Sequence, residues 1–164
     1  MKYALFAAAM GLAACSTGPA YALQQGQRAP AAVVEQLQNT PLTQIGSQSV
    51  RVVPPTAALG ATAKNAGATL AAHGKSLVVR ERDHLVGISS HELVVITPEL
   101  DAVAATVAGM HLPGATTHPY PKLQLLVVKT ARFEQLETVR DQIAAAFPAA
   151  KFDLPVVYFP KKPR

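Results

Sequence analysis

The sequence predicts an α+β fold, because its second half alternates short apolar segments of strand type with amphipathic segments of helix type. Four segments are short and rich in β-branched, leucine or aromatic residues, and we interpret them as strands: residues 92–96, 116–120, 123–128 and 151–159. Two longer segments have apolar residues at helical spacing: residues 97–109 and 130–147. The predicted order is therefore strand, helix, strand, strand, helix, strand.

Both predicted helices have start and stop signals. Thr97 can cap the first helix, Pro98 fits its first position because its missing N–H is not needed there, and Gly109 ends it. The second helix begins near Thr130 and ends before Pro148. Its apolar face consists of Phe133, Leu136, Val139, Ile143 and Phe147. We expect both helices to pack on the sheet through such faces.

The prolines predict the strand order. A proline cannot donate a hydrogen bond to a neighbouring strand, so the strands that contain Pro119 and Pro155 are predicted to be edges. Two right-handed crossovers joined by a hairpin then give an antiparallel four-stranded sheet of order 4-1-3-2. This is a split β-α-β, ferredoxin-like sandwich with both helices on one face. The other face must meet solvent, the rest of the chain or a partner.

The N-terminus is interpreted as a targeting segment. Met1-Lys2-Tyr3 supplies a positive start and residues 4–14 an apolar run that is too short to span a bilayer. Leu12-Ala13-Ala14-Cys15 matches the bacterial lipobox, which predicts a signal peptide over residues 1–14 and lipidation of Cys15. Ser16 favours the outer membrane, facing the periplasm or the surface. The alternative is cleavage after Ala22, which would give a secreted or periplasmic protein.

Two regions precede the predicted sandwich. Residues 15–49 are glutamine-rich and are predicted to be a flexible tether, with a short helix possible around residues 31–38. Residues 50–89 are predicted to form an accessory α/β region, with a helix over residues 56–73 and strands on either side of it. The domain proper is then residues 90–164.

Composition and spacing argue against several functions. The formal charge is +5, but the basic residues form no face interleaved with aromatic residues, so nucleic acid is not an expected partner. The five histidines lack metal-ligand spacing, and we predict no metal, cofactor or small-molecule substrate. Ser89-Ser90-His91-Glu92 is not a catalytic triad by itself, because adjacent strand residues point to opposite faces. The chain is therefore predicted not to be an enzyme.

Residues 90–159 resemble the propeptide domain of subtilisin-type serine proteases, which also occurs as a stand-alone protease inhibitor. The matching segments follow one another in the same order: residues 92–96, Gly114-Ala115-Thr116-Thr117, Tyr120-Pro121-Lys122-Leu123, the helix of residues 133–147, and Val156-Val157-Tyr158-Phe159. The resemblance implies that the open sheet face docks on two helices of the protease. It also implies that the extended C-terminal tail lies in the active-site cleft like a substrate.

The resemblance therefore implies a stand-alone inhibitor or folding chaperone of a subtilisin-like protease in the cell envelope. The residues implied to contact the partner are the last strand and tail: Val156, Val157, Tyr158, Phe159, Pro160, Lys161, Lys162, Pro163 and Arg164. The alternative is a structural envelope lipoprotein that binds an assembly partner through the open face. The inhibitor needs a free tail beside a bare sheet face. The alternative expects that face to be covered by residues 50–90 or by another copy.

Overall fold

The computed structural model describes residues 23–54 and 69–159, and over these ranges the chain forms two antiparallel sheets with helices packed on them. The predicted signal peptide, Cys15, most of the helix predicted over residues 56–73, and the tail 160–164 lie outside the described residues. The mixed α+β class predicted from the sequence is confirmed.

The described elements follow in chain order, with labels used below. The helices are α1 (Ala31–Leu37), α2 (Leu100–Gly109) and α3 (Gln135–Ala146), and residues 69–72 are helical as well. The strands are β1 (Leu42–Ile45), β2 (Gln48–Val52), β3 (Ser76–Arg80), β4 (Val86–Ser89), β5 (Glu92–Ile96), β6 (Thr116–Tyr120), β7 (Leu125–Lys129), β8 (Lys151–Asp153) and β9 (Val156–Val157). A short 3₁₀ turn, Pro121–Leu123, joins β6 to β7.

The four-stranded sheet has the order β6-β7-β5-β8, so that β5 lies between β7 and β8. Alternate side chains of β5 and β7 point towards α2 and α3 and are fully buried: Leu93, Val95, Leu126 and Val128. They share one core with the apolar faces of both helices. The helices thus cover one face of this sheet, as the apolar spacing of residues 97–109 and 130–147 predicts.

The five-stranded sheet has the order β1-β2-β3-β4-β9 and is covered on both faces. On one face, Ile45, Val50 and Val78 belong to the core formed by α2, α3 and the four-stranded sheet. On the other face, residues of β3 and β4 pack against Val33 and Leu37 of α1. Residues 23–54 and 69–89 therefore supply four strands of one sheet layer, with α1 on its outer side.

This arrangement corrects the predicted tether. Residues 31–49 form α1, β1 and the start of β2 instead of a flexible segment, although the short helix predicted around residues 31–38 is confirmed. The glutamines that suggest disorder lie on exposed or half-buried positions, whereas Thr43 and Ile45 alternate with them and point into the core. The apolar period was too short, at four residues, to stand out from its polar neighbours.

A second correction concerns the last strand. Residues 151–159 do not form one strand, because β8 pairs with β5 while β9 pairs with β4 of the other sheet. Between them, Leu154 is 1% exposed and Pro155 offers no N–H to a neighbouring strand. Burial of Leu154 in the core and the missing donor of Pro155 interrupt the pairing where the chain passes from one sheet to the other.

The hairpin between β1 and β2 provides a direct contact between the two sheets. Gly46 begins its two-residue turn with φ 58°, and a Cβ at this position would fall on the carbonyl oxygen of Phe152 in β8. Gly74 has a similar φ of 63°, but among residues 23–54 and 69–159 nothing lies within 4 Å of the corresponding Cβ position. The two glycines therefore share a backbone constraint and differ in packing.

We predict that Gly74→Ala lowers the free energy of unfolding by about 1–2 kcal/mol, the cost of a side chain in the left-handed region. Gly46→Ala should cost about 1–3 kcal/mol more, because the backbone of β8 must also move. Urea unfolding followed by circular dichroism measures both changes. Equal losses in the two variants would contradict a close contact between the hairpin and β8.

Candidate protein interface

The register of the four-stranded sheet decides which side chains share its outer face. Val94 is paired with Val127 and Asp153, and Ile96 is paired with Leu125 and Lys151. Directly paired residues point to the same side of a sheet. With the pairs of β6 and β7 added, eleven side chains form what we call the open face: Glu92, Val94, Ile96, Thr116, His118, Tyr120, Leu125, Val127, Lys129, Lys151 and Asp153.

The open face has an apolar centre that the described residues leave outside both cores. Val94, Leu125 and Val127 are half-buried, and none of them belongs to either hydrophobic core of the described chain. Ile96 is 43% exposed and Tyr120 50% exposed. The helix-facing residues of the same strands are nearly inaccessible, so the two faces of this sheet differ sharply in burial although both are apolar.

Exposed apolar area is concentrated at one end of the open face. Leu123, in the turn between β6 and β7, is 68% exposed and adjoins Tyr120 and Leu125 along the chain. Its turn is fixed by Gln124, which has φ 50° and accepts a hydrogen bond on its carbonyl from the N–H of Thr97 (2.9 Å). A rigid turn with an exposed apolar side chain is favourable in a binding surface, because the turn loses little conformational entropy when a partner binds.

Charges of both signs surround the apolar centre. Lys129 and Glu92 lie 3.9 Å apart at one end, and Lys151 and Asp153 occupy β8. Mixed charges around an apolar centre are typical of a protein–protein interface, and a polyanion would require a predominantly basic surface. The chemistry of the face therefore fits a protein partner.

The residues predicted to bind a partner through the last strand have contacts within the chain. Val156 and Val157 pair with β4, and the carbonyl of Val157 accepts a hydrogen bond from Gln25 Nε2 (2.7 Å). The hydroxyl of Tyr158 donates to Gln48 Oε1 (3.0 Å). Phe159 is 66% exposed. The structure thus places Val156–Tyr158 on the five-stranded sheet and not beside the open face, and the predicted tail beyond them lies outside the described residues.

An ion pair holds the cation that covers Tyr158. Arg80 donates to both carboxylate oxygens of Asp83 (2.8 and 2.6 Å), and its guanidinium carbon lies 4.2 Å from the centre of the Tyr158 ring. The hydrogen bonds from Arg80 lower the pKa of Asp83, and burial raises the pKa of Tyr158. Gly87 leaves room for that ring, because a Cβ there would lie 2.9 Å from it. The last strand is therefore well anchored.

His91 is the one buried histidine among the described residues, with 4% of its surface exposed. It joins the two sheets, because it lies between β4 and β5. Its Nε2 lies 2.8 Å from Ser76 Oγ of the five-stranded sheet, and its Nδ1 lies 3.2 Å from the carbonyl of Ala131. Burial lowers the pKa of His91 below its ordinary value of about 6.5, against a smaller opposing effect of the hydrogen bond to Ala131. Sequence reasoning did not pair His91 with Ser76.

Within residues 23–54 and 69–159, no group of three or more His, Cys, Asp or Glu side chains is placed to hold a metal ion. The helices in these ranges do not reach the length and hydropathy needed to cross a membrane. Comparison of the chain with protein-family models, with curated proteins and with solved structures gives no match. The function must therefore be argued from the geometry above.

The depressed pKa of His91 predicts a loss of stability on acidification. Above about pH 6.5, His91 is neutral in both the folded and the unfolded chain. Below that pH, His91 becomes protonated in the unfolded chain but stays neutral in the folded chain, because burial lowers its pKa. Stability should therefore fall as the pH drops below 6.5. Thermal unfolding between pH 8 and 5.5 measures the slope, and this range lies above the region where the carboxylates titrate.

His91→Asn should flatten that slope, because asparagine does not titrate and tolerates the left-handed backbone at this position (φ 57°). His84→Asn is the matched control, since His84 is exposed and has φ 58°. An equal loss of slope in the two variants would show that burial of His91 is not the cause.

Proposed function

We propose that this chain is an exported, lipid-anchored binding protein that docks on a subtilisin-like serine protease through its open face, as a stand-alone inhibitor or folding chaperone. The observation that carries the proposal is the exposed apolar centre of the open face, on a sheet whose other face is fully packed. Exposed apolar patches on a rigid element typically mark an interaction surface. The order β6-β7-β5-β8, with α2 and α3 on one side, supports a ferredoxin-like, propeptide-like unit.

The described residues before and after the predicted four-stranded unit leave its open face bare, as the inhibitor requires. None of the residues of β1–β4 that enter a core packs against this face; they pack against α1, or against the helix side. A bare face of this kind can bind without prior rearrangement, because both partners keep their folded backbones. A partner that binds only the native protease would also stabilise it by mass action, which is the physical basis of the chaperone role.

Because the last strand is paired within the chain, we expect the open face to make most of the contacts with the protease. Val156–Tyr158 cannot lie in a protease cleft while β9 is paired with β4 and Tyr158 is held by Gln48 and Arg80. A substrate-like role would therefore fall to the residues that follow Phe159. We propose the open face as the principal contact and the tail 160–164 as a secondary contact.

The anchoring of the last strand also favours the alternative function, a structural lipoprotein that binds an assembly partner in the envelope. Such a protein needs the open face but has no use for a free substrate-like strand. With Cys15 lipidated, seven residues lie between the anchor and Leu23, the first described residue, which makes eight steps from one Cα to the next. At about 3.5 Å per residue this chain spans at most ~28 Å, so either partner must lie close to the membrane surface.

The open face is tested by Ile96→Glu, with Leu42→Glu as the matched control. The two side chains are 43% and 41% exposed on strands of different sheets, so their effects on stability should be similar. We expect Ile96→Glu to weaken binding at least about tenfold, or ~1.4 kcal/mol, because a charge enters an apolar contact. Leu42→Glu should leave binding unchanged.

The measurement uses residues 23–164 against a panel of active-site-blocked subtilisin-type proteases, by surface plasmon resonance, with inhibition assayed on the active enzymes. The same fragment cut after Phe159 separates the two contacts. Inhibition lost with the tail supports occupation of the cleft, and inhibition retained without it assigns the binding to the open face. Absence of binding to every protease would contradict the protease proposal and favour the assembly partner.

A further inference from the structure

A serine hydroxyl and a histidine ring meet where the two sheets join, and the proposed binding function does not use them. Ser76 is the first residue of β3, and His91 immediately precedes β5. Ser76 Oγ and His91 Nε2 are 2.8 Å apart, within the range of a nucleophile and its general base. Ser76 and His91 are 15 positions apart in the sequence. The pairing of β3 with β4 brings them together, because Ser76 lies opposite Ser89, two residues before His91.

The second ring nitrogen fixes the tautomer that such a pair requires. His91 Nδ1 lies 3.2 Å from the carbonyl oxygen of Ala131, which can only accept, so Nδ1 carries the proton. Nε2 is then free of hydrogen and accepts the hydroxyl proton of Ser76. An orienting acceptor on one nitrogen and a nucleophile on the other is the arrangement by which a histidine activates a serine. Here a backbone carbonyl takes the orienting position.

The backbone around His91 is held in an uncommon conformation. His91 has φ 57°, although it is neither glycine nor asparagine. Its N–H donates to Ser89 Oγ (3.3 Å), and its carbonyl accepts from the N–H of Thr130 (3.0 Å). The ring meets Phe133 edge-on, with centroids 6.3 Å apart. Backbone of this kind persists where the surroundings fix it, and it is frequent at functional sites.

The pair lines a cavity large enough for a small acyl group. The cavity has a volume of about 230 Å³, and its walls combine apolar residues with Lys75, Ser76, His91, Arg132 and Glu134. Ser76 is half-buried and His91 is at the back. Lys75 and Arg132 are exposed residues of the cavity lining, so the cavity carries positive charge that favours negative charge developing on a bound carbonyl or phosphoryl oxygen.

We propose that Ser76 is a reactive serine, activated by His91, that accepts an acyl group from small activated esters. The bond that forms joins Ser76 Oγ to the carbonyl carbon, and the ester C–O bond breaks. The hydroxyl proton passes to His91 Nε2 and then to the departing alkoxide, which leaves as the alcohol. Water attacks the acyl-serine with the same base and releases the carboxylic acid. This activity is independent of binding through the open face and differs from the sequence expectation of a non-enzyme.

The test is labelling of the full chain with a fluorophosphonate probe, followed by mass spectrometry of the modified peptide. In this reaction Ser76 Oγ displaces fluoride from phosphorus and the proton again moves to His91 Nε2. We expect the label on Ser76, no label in Ser76→Ala, and a rate at least about 100-fold lower in His91→Asn, which lacks the base. Ser47→Ala is the control, since Ser47 is exposed in the β1–β2 turn and does not line the cavity.

Labelling of the wild-type chain shows by itself whether Ser76 is the reactive serine, even if a variant folds poorly. A chain that stays unlabelled under conditions that label a known serine hydrolase would overturn the proposal. So would a label on another serine, or an equal rate in His91→Asn measured below its melting temperature. Release of p-nitrophenol from p-nitrophenyl acetate, lost in Ser76→Ala but unchanged in Ser47→Ala, would extend the result from labelling to turnover.

Discussion

The pleat of β5 and β7 is the constraint on which the rest of the structure depends. Both strands are apolar on both faces, but α2 and α3 cover only the face that carries Leu93, Val95, Leu126 and Val128. Because successive side chains of a strand alternate, the remaining residues point to the opposite face. These are Val94, Ile96, Leu125 and Val127. The core and the open face are thus two consequences of the same five-residue pairing, and a one-residue slip would exchange them.

The two sheets are joined by few but specific contacts. Leu154 inserts into the shared core, Gly46 brings the β1–β2 turn against β8, and His91 bonds to one sheet while its backbone enters the other. Each contact depends on a residue with a particular conformational or size requirement. Residues 23–54 and 69–89 are therefore an integral layer of the described structure. The open face lies on the side of the four-stranded sheet away from this layer.

The sequence predicts the elements whose signals are local. β5, β7, α2 and α3 lie near their predicted bounds because their apolar patterns are uninterrupted and the helix ends are marked by Pro98, Gly109 and Pro148. β6 also lies at its predicted bounds, although its side chains are mostly exposed. The strand β1 was missed because its two inward residues alternate with polar ones over only four positions. Pro155 predicts an edge strand over residues 151–159, but the exchange of sheets at Leu154 depends on contacts with distant residues, which no local pattern contains.

The same limit applies to the candidate sites. The open face follows from the predicted topology, because two right-handed crossovers place both helices on one face of the sheet and leave the other face without a helix. The pairing of Ser76 with His91 does not follow, because the register of β3 on β4 places them together. Sequence reasoning compared His91 with its neighbours Ser89 and Ser90, which are close along the chain but do not supply the hydroxyl at Nε2.

The anchoring of the last strand has an energetic consequence for any partner that binds it. A partner must first displace β9 from β4 and Tyr158 from Gln48 and Arg80, so its apparent affinity is reduced by the fraction of chain in which the strand is free. The open face carries no such reduction, because its side chains already point to solvent on a packed sheet. Binding free energy is therefore recovered more fully at the open face, and the contribution of the tail rises only if the partner stabilises the released strand by more than its lost contacts.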